Sequence, residues 1–368
     1  MTKRFIIDRY IFFQLIPPFL FGIGLFAVFL SIDPLRWSIN YIFDRGAPVG
    51  VVMQHFLYTL PSLMVFTFPM STLLAVLLVF GNLSANHEII AMRAGGLSFH
   101  RLTIPLIVFG VLASILTFTF SDWIVPAANE QANRILYEGV LNRPIPQVQR
   151  DIFYSQKEDG KLKLLFYAAR FDGRRMMLND VNIQEFEEGK LRQIVTASRA
   201  IWNASEHRWY IEDGAINRIG EEGRANLFVR FDRRAVSIKA PQELALSRGD
   251  PEKMSTSQLR HYIQVRQESG HPVTQLWVIY HLKFAIPFAA LIFVLLGAPV
   301  AVRPARASKA LSFGLSLVII FAYYIVLSFS QVFGQRGYLP PPLSAWMQNL
   351  LFGALAVAFL WWANKRAV

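Results

Sequence analysis

The chain has 368 residues, of which 54% are hydrophobic and 17% charged, where soluble domains carry about a quarter charged residues. It has no cysteine, which excludes disulfides, thiolate metal sites and cysteine nucleophiles. The net charge of +12 is unevenly placed: residues 126–272 hold 23 Lys/Arg and 20 Asp/Glu, and the other 221 residues hold 14 and 5. The basic excess therefore sits at the ends of apolar runs, as topology-setting charge does, and nucleic-acid binding is excluded as the reading.

A membrane-spanning helix needs about 20 mostly apolar residues. The first such run is Tyr10–Ile32, preceded by Lys3, Arg4 and Arg9. It is too long for a signal peptide and no small-x-small site follows, so it is expected to stay as a helix. Arg36 and Arg45 come next, flanked by Asp33 and Asp44. The second run, Phe56–Phe80, contains Pro61 and Pro69. A short loop then leads to the third run, Leu102–Phe120.

That loop reads Gly81-Asn82-Leu83-Ser84-Ala85-Asn86-His87-Glu88-Ile89-Ile90-Ala91-Met92-Arg93-Ala94-Gly95-Gly96. A short helix over about 84–96 is expected. Asn86 or Ser84 serves as its cap, Glu88 lies in the first turn where the dipole favours an anion, and Gly95-Gly96 supplies the stop. Ile89, Ile90 and Met92 give it an apolar surface, which needs either a partner or the membrane surface to lie on.

From Pro126 onward the periodicity changes to strands. They read as Asp151–Ser155, Leu162–Ala169, Met176–Phe186, Leu191–Trp202, Arg208–Ile219 and Ala225–Ile238, with turns at 157–161, 187–190, 203–206 and 220–223. No helical pattern intervenes, which predicts an antiparallel sandwich or barrel-like sheet pair. Alternation, as in Leu164, Phe166, Ala168, gives it one apolar face. A sealed core and an open groove holding a lipid chain both fit. Pro241–Gly270 returns to a helical pattern with cap options at Ser255-Thr256-Ser257 and is read as an amphipathic helix.

Three further runs follow: Phe284–Val302, Ala310–Phe333 and Leu343–Trp362. None of the six contains Asp, Glu, Lys or Arg, and prolines at 17, 18, 61, 69, 105, 287 and 299 are read as kinks. With the N-terminus in the cytoplasm, the segments on that side hold Lys3, Arg4, Arg9, Arg93, Arg101, Arg303, Arg306, Lys309, Lys365 and Arg366 against Asp8 and Glu88. Both termini are therefore expected in the cytoplasm and residues 126–272 outside. The expected organisation is 1–125 with three spans, 126–272 as an inserted β-domain with its following helix, and 273–368 with three spans.

Catalytic signatures are missing. The sequence has no G-x-x-x-x-G-K-[ST], H-E-x-x-H or G-x-S-x-G, its seven histidines are scattered, and the acids of 126–272 cluster in turns. The chain is expected to carry no catalytic site, metal or cofactor of its own.

The order of spans and inserted domain, Leu60-Pro61 and Phe68-Pro69-Met70 of span two, the Glu88-x-x-x-Met92-x-Ala94-Gly95-Gly96 loop and Leu339-Pro340-Pro341-Pro342 together resemble the LptF/LptG-type lipopolysaccharide export permeases, over essentially the whole chain. The resemblance implies a non-catalytic permease subunit of an ABC transporter in the inner membrane. It would pair with a second homologous permease subunit and be driven by a cytoplasmic ATPase dimer that binds the ATP. Glu88, with Met92 and Arg93, would dock on that ATPase. Lipopolysaccharide or a related glycolipid would enter between the first and fifth helices of the paired subunits. It would be extruded to periplasmic β-jellyroll domains, the inserted antiparallel β-jellyroll-like domain at 126–272 among them, that form a bridge toward the outer membrane. Arg36 and Arg45 are the headgroup candidates. Lys283, just before span four, is a weaker one, since snorkelling explains a lysine there. The alternatives are a membrane-anchored envelope assembly or lipid-binding protein without transport, and an intramembrane enzyme, which the charge-free spans disfavour.

Overall fold

The computed structural model describes residues 2–136, 139, 148–158, 161–173, 175–187, 190–219, 225–236, 238, 241, 250–268, 271–302 and 309–365. The tips of the turns expected at 157–161 and 187–190, the turn at 220–223, and Arg303, Arg306 and Arg366 lie outside these residues. The chain divides into two compact units. One comprises Met1–Trp37, Thr59–Ala127 and Thr274–Val368, and the other Ser38–Tyr58 and Ala128–Val273.

Among the described residues, all six apolar runs are helices long and apolar enough to cross a membrane. Helix α1 spans Thr2–Leu30 and α2 spans Ile32–Phe43. Helix α3 spans Val49–Ala85, α4 Glu88–Ala94 and α5 Phe99–Thr119. The last continues through a π-helical turn at Phe120–Ile124 into α6, Val125–Ile135. After the β-domain come α7 (Thr256–Glu268), α8 (Thr274–Ala301), α9 (Lys309–Gln335) and α10 (Pro341–Lys365). The helices outrun the apolar cores that define them: 37 residues of α3 rise about 55 Å, against a hydrocarbon core of about 30 Å. All seven in-span prolines lie inside continuous helices.

In lipid there is no hydrophobic drive between helices, so they associate through close packing of small residues and through polar contacts. Among the described residues several crossings use glycine. A Cβ at Gly22 of α1 would stand 2.9 Å from Ser71 of α3, and one at Gly110 of α5 would stand 2.8 Å from Val294 of α8. A Cβ at Gly297 of α8 would approach Val76 of α3 to 3.0 Å, and one at Gly334 of α9 would run into Ser344 of α10. Polar contacts add a tie: the Tyr323 hydroxyl donates to Asn349 at 2.7 Å, and the Asn349 amide donates to the Ala285 carbonyl at 2.8 Å, joining α9, α10 and α8. Burial is unequal. Of the apolar windows, 78% of α3 is buried but only 22% of α1 and of α9, so these two helices keep wide unpartnered apolar faces.

The second unit holds a six-stranded antiparallel sheet in the order of the sequence: β1 (Val148–Glu158), β2 (Lys161–Asp172), β3 (Met177–Glu187), β4 (Lys190–Asn203), β5 (Arg208–Ile219) and β6 (Ala225–Val236). Every expected strand is present. In place of a pair of sheets there is one sheet curled on itself. Phe171 of β2 and Trp209 of β5 lie three strands apart, about 14 Å in a flat sheet, yet their rings are 6.3 Å apart.

The curl follows a line. Each of the five ladders skips one pair, and the skipped positions run across the sheet as Asp151, Ala169, Asp180, Ser198, Asp213 and Asp232. On alternate strands the residue on this line is an aspartate in the left-handed region, with φ 55 at Asp151, 52 at Asp180 and 50 at Asp213. Aspartate tolerates that conformation better than β-branched residues do. At the line the buried alternation shifts by one: Ala168 is followed by Phe171, Leu178 by Val181 and Ala197 by Ala200. Apolar residues from both sides thereby join one cluster, including Ile152, Phe166, Phe171, Ile183, Val195 and Trp209. Gly214, next to the line, is tightly held; a Cβ there would meet the Phe231 ring at 2.3 Å and the Thr196 carbonyl at 2.7 Å.

The opposite face of β1 and β2 is covered by α7. Ser255 caps it reciprocally: its hydroxyl accepts from the Gln258 N–H at 3.2 Å, and the Gln258 side chain accepts from the Ser255 N–H at 2.8 Å. Leu259, Tyr262, Ile263 and Val265 are buried, and Tyr262 packs edge-on to Phe153 at 5.2 Å and tilted against Tyr167 at 6.1 Å.

Candidate functional site

The connection between α3 and α5 is built by two left-handed residues. Helix α3 runs on through Ser84 and Ala85, so neither Ser84 nor Asn86 caps the short helix as the spacing suggested. The chain reverses at His87, with φ 60 and no side-chain cap, and α4 begins at Glu88. Its end is a Schellman motif. Gly96, at φ 88, donates to the Arg93 carbonyl at 2.9 Å, and Leu97 donates to the Met92 carbonyl at 3.2 Å. The accompanying apolar contact is present, as Met92 and Leu97 both pack on the main core.

Seven residues are thus fixed at both ends with a defined rotation. Ile89 is buried in the core, whereas Ile90 is 61% exposed, with Ala91 and Ala94 exposed beside it. Glu88, Met92 and Arg93 are half-buried on the same element. The sequence-predicted group is therefore brought together on one short helix.

Long-range ties to α1 surround this helix, and local sequence reasoning missed them. The Tyr10 hydroxyl donates to Glu88 Oε2 at 2.9 Å, and the Asn86 amide reaches Oε1 at 3.5 Å. Just past the loop, Ser98 caps α5 by accepting from the Arg101 N–H at 3.3 Å. The Arg101 guanidinium then grips Asp8 with both nitrogens, at 2.6 and 2.5 Å. This two-point fork is the strong form of an ion pair. The partners lie 78 and 93 residues apart in the chain, and in the sequence alone Asp8 and Arg101 carry no sign beyond charge at the end of a span.

The candidate headgroup cations have separate surroundings. Arg36 has a 66% exposed side chain 3.9 Å from Asp33, and its guanidinium lies 5.7 Å from the Trp37 ring. Arg45 is exposed, over the Tyr41 ring at 5.7 Å. Lys283 differs from expectation. Helix α8 starts at Thr274, so the lysine stands inside the helix and is buried at 6% exposure, not snorkelling at its edge. Among the described residues no group of three His, Asp or Glu is placed to hold a metal ion.

Six apolar helices, a β-domain spliced between the third and fourth, and a short apolar helix between the second and third define a multi-pass membrane protein with an inserted β-domain. Residues 9–362 match the family model described as lipopolysaccharide export system permease LptF/LptG, and the chain belongs to that family. It is 22% identical to the lipopolysaccharide export system permease protein LptG of Haemophilus influenzae, over 84% of each chain. To LptG of Escherichia coli K12 it is 21% identical, over 96% of this chain and 98% of the relative. To LptF of the same strain it is 21% identical, over 87% and 84%.

Proposed function

We propose that the chain is a non-catalytic permease subunit of an ABC transporter that extracts lipopolysaccharide, or a related glycolipid, from the inner membrane. The observation that carries this reading is α4. An exposed isoleucine and a half-buried carboxylate on a helix locked by left-handed residues at both ends form a rigid docking element, which a soluble partner must cover. That partner is a cytoplasmic ATPase dimer, which binds the ATP; Glu88 meets a cation on it, and Met92 and Arg93 support the contact.

The wide apolar faces of α1 and α9, the first and fifth spans, are where a second permease subunit and a lipid chain would lie. Relatives named LptG and LptF match at the same 21% identity, in keeping with a pair of related subunits. Residues 126–272 lie in the periplasm and both termini in the cytoplasm. The β-domain is the first station outside the membrane for the extruded lipid, which it hands to a periplasmic jellyroll bridge. Arg36 and Arg45 are exposed and would meet headgroup phosphates by rotating off their aromatic neighbours and, for Arg36, away from Asp33. Lys283, being buried, would reach a headgroup only if the helices around α8 part.

Purification of the full chain with its native partners tests the reading. A P-loop ATPase is expected to accompany the wild type and to be lost from Glu88→Lys. If Glu88→Lys kept both the ATPase and ATP-coupled export, Glu88 would have no docking role.

A further inference from the structure

We propose that α1 is a second load path from α4, fastened by two positioning contacts, Tyr10 to Glu88 and Asp8 to Arg101. The inference rests on the docking role of Glu88 and deepens it.

A seven-residue helix between two long helices can pass a push or pull through its own backbone, into α3 before it and α5 after it. Here both flanks are also tied sideways to α1. On the near side, Glu88 Oε2 accepts from the Tyr10 hydroxyl at 2.9 Å. On the far side, Arg101 in the first turn of α5 holds Asp8 bidentately at 2.6 and 2.5 Å. Asp8 and Tyr10 are two residues apart on α1, so their side chains leave the helix about 200° apart around its axis. The two ties therefore grip the end of α1 from different sides. Flanking them in the chain, Ile7 and Ile11 pack on the main core, Ile11 fully buried.

The carboxylate chemistry permits a relay. Tyr10 uses one oxygen of Glu88, and among the described residues Oε1 has only the long 3.5 Å contact with Asn86, which leaves it able to accept a strong bond from a partner cation. Glu88 can then be held by α1 and by the docked protein together. Movement of the docked protein would be delivered directly to α1, whose apolar face is among the least buried of the spans. A helix with few packed neighbours is the one a small force displaces most readily.

The test uses the full chain assembled with its permease partner and ATPase in proteoliposomes, reading three quantities: ATPase retained in the complex, ATP hydrolysed, and lipopolysaccharide released. Tyr10→Phe removes one hydroxyl and Asp8→Asn one charge. Each is expected to leave the retained ATPase at the wild-type amount while release per ATP falls about three- to tenfold, the scale of one charge-assisted hydrogen bond. The swap Asp8→Arg with Arg101→Asp is expected to restore release relative to either single change. Wild-type release per ATP in both Tyr10→Phe and Asp8→Asn would overturn the proposal, even where Glu88→Lys loses the ATPase. Retention of ATPase and export by Glu88→Lys would instead overturn the docking role and the load path with it.

Discussion

Arg266 of α7 lies 3.1 Å from Asp151 of β1, the aspartate with which the bend line across the sheet begins. Asp151 also accepts from the Tyr167 hydroxyl at 3.1 Å, and Arg266 donates to the Tyr262 hydroxyl at 3.2 Å. One polar clasp thus joins the helix that leads toward α8 to the line along which the sheet folds. Both charges are mostly shielded, with side chains 20% and 34% exposed, so the pair holds more firmly than a surface one.

Breaking the clasp and straining the bend are separable. Asp151→Asn keeps an acceptor and tolerates φ 55, whereas Asp151→Val has neither property. Asparagine is expected to cost about 1 kcal/mol and valine about 2–4 kcal/mol, the difference being the left-handed backbone penalty and the abandoned Arg266. Chemical unfolding followed by the β-sheet circular dichroism signal checks the order. Equal costs would mean that the left-handed conformation at 151 contributes nothing.

The same clasp sets an alkaline limit. Burial first, and then the Asp151 charge, pushes the Tyr262 hydroxyl up to about 12; Tyr167 is raised further by the same two causes. An unfolded tyrosine ionises near 10. Because the folded value is the higher one, this stability is fully present below about pH 10 and is lost as pH rises toward 12. Tyr262→Phe is expected to flatten the loss of β-signal between those pH values. An unchanged slope would remove Tyr262 from the account.

Left-handed residues frame α4, and their substitutions should act in opposite senses. His87→Asn suits φ 60 better than histidine and is expected to be neutral or stabilising by under about 1 kcal/mol. Gly96→Val places a β-branched residue at φ 88 and is expected to cost about 2 kcal/mol locally, freeing the end of α4 and weakening ATPase association. Association measured for both variants decides. A Gly96→Val chain that binds like the wild type would show that docking does not need a rigid helix.

Crossings in the bundle give a packing prediction. Gly297→Leu must displace Val76 and Leu73, which a Cβ alone already approaches to 3.0 and 3.1 Å. Gly24 has open space around it, and Gly24→Ala meets nothing. The first is expected to destabilise the bundle by about 1–3 kcal/mol and lower its melting temperature in detergent, the second to leave it unchanged.

The spans were legible because lipid demands long charge-free helices, and the strands because alternation and turn residues mark them; all six of each are present. The helix ends were less legible. Pattern cannot distinguish where apolar demand stops from where hydrogen bonding continues, so α8 begins at Thr274 and swallows Lys283. Nor does composition reveal that one sheet would curl about a line of skipped pairs, since Asp151, Asp180 and Asp213 read as ordinary solvated acids. The site was half visible. A short apolar loop marks the helix that carries Glu88, Met92 and Arg93, to which the family resemblance gives a docking role, but the contacts of Tyr10 with Glu88 and of Asp8 with Arg101 form only when distant segments meet.

The most direct measurement is release of lipopolysaccharide from proteoliposomes that hold the chain, its permease partner and the ATPase, with and without ATP. The account predicts ATP-dependent release from the wild type and none from Glu88→Lys inserted at the same level. Release that needs no ATPase, or that Glu88→Lys leaves intact, would contradict it.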